Sequence, residues 1–200
     1  MLYRASVNIK NSEDVSPDLI SRAQAGDNEA FDLIIENHYR FVYKFIYAMV
    51  SERSVAEELT QETFLSAYKG IGALRGDAKL RTWLFTIAKN AVSRYFRSLR
   101  KEGKMVEDEI EALHLPDEKN PPPDRQFLSK ELKSAIHSAL KKLDDDKRLV
   151  FILKEFHLLS YKEISEITGH TVPKLKTDLY RAKNEMRNLL GPYLEVKNGV

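Results

Sequence analysis

Apolar residues recur three and four positions apart from Phe31 to Leu190, and nowhere do apolar and polar residues alternate over the length of a strand. The first spacing marks one face of an α-helix; alternation would mark a half-buried strand. A chain with only the first pattern buries its apolar surface by packing helix on helix, so the expected fold class is all-α. Asp27 and Asn28 can cap a helix carrying Phe31, Ile34, Ile35, Val42, Phe45, Ile46 and Met49. Ser54-Val55-Ala56-Glu57 has the form of a capping box. The helix after it turns Leu59, Ala67 and Ile71 inward, and Gly70, Gly72 and Gly76 mark a loop. A long helix follows, with Leu80, Trp83, Leu84, Ile87, Ala91, Val92 and Tyr95 on one stripe. Arg81, Lys89, Asn90, Arg94 and Arg97 lie on its other face.

The pattern breaks once. Residues 103–124 are polar and acidic, and Pro121-Pro122-Pro123 cannot continue a helix. This predicts two small helical domains, 17–102 and 125–194, joined by a flexible linker over 103–124. Charged residues make up 31% of the chain, above the usual quarter or so, as expected of small units with much surface per residue. The second domain opens with Phe127, Leu128, Leu132, Ile136, Ala139 and Leu143 on a helical stripe. Asp144 is cap-like before Leu149, Val150, Leu153 and Phe156. Ser160-Tyr161-Lys162-Glu163 is a second capping box, opening a short helix that Gly169 ends. Thr171 and Pro173 open a last helix with Leu175, Leu179, Ala182, Met186 and Leu190 inward, and Gly191-Pro192 is expected to stop it.

Several function classes drop out. Without cysteine there is no disulfide framework and no thiolate metal site. The amino terminus lacks the apolar core of a signal peptide, and charges interrupt every apolar stretch too soon for a bilayer span. A cytoplasmic protein with no membrane insertion of its own is expected. Glu57, Glu58, Gln61 and Glu62 form an acidic patch, but no nucleophile, base or glycine loop stands with it, and the five histidines are scattered. No enzyme activity, metal or cofactor is expected. The patch is read as solvated or as a docking face for a basic partner.

Two surfaces point to nucleic acid. A short capped helix, a glycine turn and a longer helix over Ser160–Leu190 form a helix-turn-helix pattern, whose second helix enters the major groove. The outward residues there are Lys174, Thr177, Asp178, Tyr180, Arg181, Lys183 and Asn184. The cations can neutralise phosphates, and Lys174, Thr177 and Asp178 can reach base edges. The bland alternative is a solvated charged face. The helix from Leu80 to Arg100 interleaves cations with Trp83, Phe85, Tyr95 and Phe96, a composition that suits a single strand. Trp83 is read as core; Arg94 and Arg97 are read either as phosphate contacts or as solvated.

Ala56-Glu57-Glu58-Leu59-Thr60-Gln61-Glu62-Thr63-Phe64 resembles the core-docking segment of the extracytoplasmic-function (group IV) bacterial RNA polymerase sigma factors. Leu74-Arg75-Gly76-Asp77 with Thr82-Trp83-Leu84-Phe85-Thr86-Ile87-Ala88-Lys89-Asn90 resembles the family's segment that opens the minus-ten element. Leu159-Ser160-Tyr161-Lys162-Glu163-Ile164 with Leu179-Tyr180-Arg181-Ala182-Lys183 resembles its minus-thirty-five reader. The likeness runs over roughly residues 17 to 194, in the family's order. It implies that Glu58, Gln61, Glu62 and Phe64 dock on core polymerase. It implies that Leu74, Ile87 and Asn90 border a pocket for a flipped base, with Lys89, Arg94 and Arg97 on the strand's phosphates. Lys176, Thr177, Tyr180 and Arg181 match positions that meet the minus-thirty-five duplex. The implied partners are core polymerase (clamp helices and flap), promoter DNA as duplex and as melted single strand, and an anti-sigma factor. The family usually has an aromatic where Leu74 stands, a basic residue at Asp178 and small residues at Pro173 and Lys174. Either the upstream sequence read here is unusual, or Asp178 meets a base amino group. The rival reading is a free helix-turn-helix regulator that binds duplex DNA as a dimer.

Overall fold

The computed structural model describes residues 16–74, 79–103 and 123–195, and among these there is no strand. The elements run α1 (Pro17–Gln24), α2 (Asn28–Val50), α3 (Arg53–Gly70), a 3-10 turn (Ile71–Ala73), α4 (Leu80–Lys101), α5 (Pro123–Lys142), α6 (Asp145–Phe151), a π-helical turn (Ile152–Phe156), α7 (Tyr161–Thr168) and α8 (Val172–Glu195). The expected linker lies mostly outside the described residues.

Capping explains most starts. Ser16 accepts from the Leu19 amide at 3.3 Å, with Pro17 in the first turn of α1. Asp27 caps α2 through the Ala30 amide at 3.1 Å and holds Arg22 with its other oxygen. The Ala30 amide, then the Arg22 hydrogen bond, keep the Asp27 carboxyl below its ordinary pKa. The capping box expected at Ser54 does not form. Helix α3 starts earlier, with Glu52 at the N-cap, so Ser54 already lies in the first turn; it donates to Glu52 at 2.8 Å while Glu57 pairs with Arg53. Asp144 caps α6 through the Lys147 amide, and Ser160 and Glu163 form the expected capping box. Gly169 closes α7 at φ 75°, where a side chain would be strained. Helix α8 passes through Gly191 and Pro192 instead of stopping. A proline forfeits one backbone hydrogen bond there, and its fixed φ is helical.

In the amino-terminal half, α2, α3 and α4 pack around Ile34, Phe45, Ile46, Phe85 and Leu84, with the fully buried Ala56, Ala67 and Ala88 allowing close approach. Trp83 is half-buried, its ring against the end of α3 at Gly70. In the other half Leu140, Ile152, Leu153, Ile164, Ile167 and Leu175 form the centre.

The two halves share one continuous core, with α4 against α7 and α2 against α5 and the π-helical turn. Polar contacts pin the seam. The Arg148 guanidinium, 9% exposed, donates to the carbonyls of Met49, Lys141 and Leu143 at 2.9, 2.9 and 3.0 Å. Arg81, which periodicity alone puts on an outward face, is instead half-buried between the Phe41 and Phe85 rings and donates to the His157 carbonyl. Lys79 reaches Glu163 at 3.1 Å and Arg100 reaches Asp145 at 2.7 Å.

Candidate nucleic-acid interface

Helix α8 is gripped by its apolar stripe, Leu175, Leu179, Ala182 and Met186. At 100° per residue this leaves Pro173, Thr177, Tyr180, Arg181 and Asn184 on the ridge facing away from the core. Tyr180 is 69% exposed, and Thr177 bonds only back to the Pro173 carbonyl. The two flanks differ. On one, Lys176 stands over the Tyr161 ring and Lys183 pairs with Glu155 at 2.8 Å. On the other, Lys174 is bound to Asp146 of α6 at 2.7 Å and to Asp178 one turn along α8 at 2.6 Å. Asp178 therefore faces a cation of its own helix. A shallow depression lined by Asp144, Asp146, Lys147, Lys174, Asp178 and Arg181 runs along this flank. Lys147 ties Asp144 to Glu185 and so locks α6 against α8.

On α4, Asn90, Arg94 and Arg97 are exposed and Lys89 is half-exposed, while Ile87 packs against the core. Leu74 is 7% exposed, and its carbonyl accepts from Gln24 at 2.7 Å. Its side chain points inward, so it shapes this face only from below. Lys89, Arg97 and Arg100 line a cleft of about 250 Å³ whose far wall carries Asp145 and Asp146. The cations of α4 and the acidic turn of α6 thus meet across the seam.

The acidic patch of α3 is exposed at Glu58 and Gln61, and Glu62 bonds Arg94. Glu62, expected to face a protein, and Arg94, expected to face DNA, therefore share one edge. Phe64 is buried to 5% and stacks on Tyr39 with ring centroids 6.1 Å apart. The apolar surface of this face comes from Leu33, Tyr39, Leu65 and Tyr68, between 41% and 55% exposed. Sequence reasoning missed them; Leu65 falls off the α3 stripe, and that misfit was the available signal. It also missed Asp146, which reads as one more acid in a helix's first turn, and Arg100, which lies past the motif. Among the described residues no cluster of His, Asp and Glu can hold a metal, and no helix is long and apolar enough to cross a membrane.

Comparison with known proteins matches the chain to two family models. One described as Sigma-70 region 2 covers residues 34–102, and one described as Sigma-70, region 4 covers residues 133–186. The chain is 30% identical to the RNA polymerase sigma-H factor of Pseudomonas aeruginosa, over 92% of this chain and 97% of that one. It is 30% identical to the ECF RNA polymerase sigma-E factor of Escherichia coli, over 88% and 94%. Among solved structures, the fold is similar to the sigma factor RpoE in complex with the anti-sigma factor NepR from Bartonella quintana. The TM-score there is 0.65, with 22% identity over 80% of this chain and 96% of that chain. It is similar also to CnrH in complex with the cytosolic domain of CnrY, with a TM-score of 0.67 and 20% identity over 90% and 99%.

Proposed function

This chain belongs to the RNA polymerase sigma factors of the extracytoplasmic-function subfamily, and we propose that it acts as a group IV member whose two DNA faces are brought to a promoter by core polymerase. The observation that carries the reading is that one chain holds both matched regions, each with an exposed cationic face on its own half. The proposed units are 17–102, a linker over 103–124, and 125–194.

Helices α2 and α3 dock on the clamp helices of core through Glu58, Gln61 and Glu62, with Leu65 and Tyr68 supplying the apolar contact. The carboxylates steer toward a basic partner and the apolar side chains give the area. The carboxy-terminal half sits by the polymerase flap and reads minus-thirty-five duplex. Thr177, Tyr180 and Arg181 face the groove, and Lys176 and Lys183 hold the backbone. The amino-terminal half then captures one melted strand. Lys89, Arg94 and Arg97 take phosphates, and Asn90 and Ile87 border a pocket for an unstacked base, with Leu74 beneath. Unstacking costs about a few kcal/mol, which the pocket contacts offset. No step calls for a catalytic residue or a cofactor; the bound open strand is what drives melting. An anti-sigma factor is part of the proposal, and so is action in the cytoplasm, where the polymerase is.

Each half alone offers a small interface, and joint binding needs the spacing that core fixes. In run-off transcription with purified core, the chain is expected to direct initiation from a subset of a promoter library. In a gel shift without core it is expected to bind the same duplexes weakly. Tight duplex binding by the free chain with no stimulation of core would replace this reading with that of a free regulator.

A further inference from the structure

We propose that Asp146 and Asp178 are positioning residues for base readout by Lys174: together they hold its ammonium at the first turn of α8 so that it reads a base-edge acceptor in the major groove and not a phosphate. This rests on the reading of α8 as the upstream recognition helix.

A lone lysine on a recognition helix is a mobile point charge, and its usual partner is a phosphate, which carries no sequence information. Lys174 is not alone. Its ammonium is 2.7 Å from Asp146 of α6 and 2.6 Å from Asp178 of α8, so two separate elements fix it. The depression around it carries Asp144, Asp145, Asp146 and Asp178 against Lys147, Lys174 and Arg181, an excess of one negative charge, and His170 approaches Asp146 at 3.5 Å. A phosphate brought to this flank meets net negative charge. The opposite flank carries Lys154, Lys176 and Lys183 against Glu155, a positive excess that suits backbone phosphate. Two of the three ammonium N–H groups are engaged, and the side chain is 41% exposed, which leaves one donor for the groove. Guanine N7 and O6 and thymine O4 are the acceptors a major groove presents to it. Asp178 is 13% exposed at its side chain, so it orients Lys174 without itself reaching a base. Asp146, and after it Asp178, raises the Lys174 pKa, and the Lys174 hydrogen bond lowers that of Asp146. Both groups stay charged at neutral pH.

The test is promoter selection from a library randomised upstream, with holoenzyme made from the full chain and bacterial core polymerase. Wild type is compared with Lys174→Ala, Asp178→Asn and Asp146→Asn. The asparagines keep shape and remove one charge. Lys174→Ala is expected to lose a preference on the order of tenfold at one upstream base. Both asparagine variants are expected to lose the same preference and no other. They are also expected to steepen the salt dependence of promoter binding by about one unit of slope, because the released lysine takes a phosphate. Persistence of that base preference in both asparagine variants would overturn the clamp. So would loss of enrichment at every upstream position. Either result leaves the promoter reading intact. No enriched upstream element with the wild-type chain would overturn that reading and the clamp together.

Discussion

Arg148 joins the two halves through the Met49 carbonyl and braces its own half through those of Lys141 and Leu143. It is a buried cation whose charge is met by three main-chain carbonyls. Burial lowers its pKa, with Asp145 and Asp144 opposing, but a guanidinium remains protonated. Arg148→Met strips three carbonyls of their donor at once. It is expected to cost about 3 kcal/mol, read as a lower denaturation midpoint at unchanged slope. Arg148→Lys does not restore it, because a point charge lacks the guanidinium's fork. His157 and His137 sit at the same seam. His157 packs edge-on to Phe45 and Phe85, and burial, then Arg81 and Lys44, push its pKa down to about 3. His137 packs edge-on to Tyr47, and burial, then Lys141, bring it to about 4. Both fold as neutral rings. The stability this gives is complete above their ordinary value near 6.5 and is lost as pH falls from there toward about 4 for His137 and about 3 for His157, because the unfolded chain takes up the protons first. Thermal midpoints measured from pH 7 to pH 4 are expected to fall. His157→Phe, which keeps the ring contacts, is expected to fall less steeply; an identical slope would show that His157 plays no part.

At the scale of the element, the exposed edge of α2 and α3 carries the sharpest functional expectation. Leu65→Ala with Tyr68→Ala is expected to weaken core binding about tenfold in a competition assay against another sigma factor, while lowering the thermal midpoint only by what the Tyr68 contacts to Asn28 and Phe31 contribute. A large fall in midpoint with unchanged core affinity would make them packing residues. Those two were not legible in the sequence, since a periodic reading discards a leucine that falls off the stripe. Helix type, most caps, the glycine end of α7 and the helix-turn-helix were legible, because each is set by residues within one turn of itself. The α3 start was misplaced because Glu52 and Arg53 compete for the same first turn. The α8 end was misplaced because a proline weakens a helix without always ending it. Residues given to a face by motif alone differ in burial. Glu58, Gln61, Asn90, Arg97, Thr177, Tyr180 and Arg181 are on the surface, whereas Phe64 and Leu74 are inside. Partnership between elements left no local trace at all. Asp146 on Lys174, Glu62 on Arg94 and Asp145 on Arg100 join residues 28, 32 and 45 positions apart.

The whole molecule presents a geometric conflict that its function must resolve. A compact chain of this length has a radius of gyration of about 17 Å. Promoter elements about 25 base pairs apart lie roughly 85 Å from one another along straight duplex at about 3.4 Å per step. If each half engages its own element on such a duplex, α4 and α7 have to part. That parting would also take the acidic wall at Asp145 and Asp146 away from the α4 cleft. The free energy of the closed seam would then be subtracted from promoter affinity. The shared interior has a further consequence, for the integrity of the chain itself. If the core and not the tether joins the halves, continuity of the backbone between them is dispensable. With a protease site placed within residues 104–122, the cleaved protein is expected to elute from gel filtration as a single particle at the volume of the intact chain. It should separate into two fragments only when Arg148→Met or acid has loosened the seam. Separation on cleavage alone would mean that the tether does the joining.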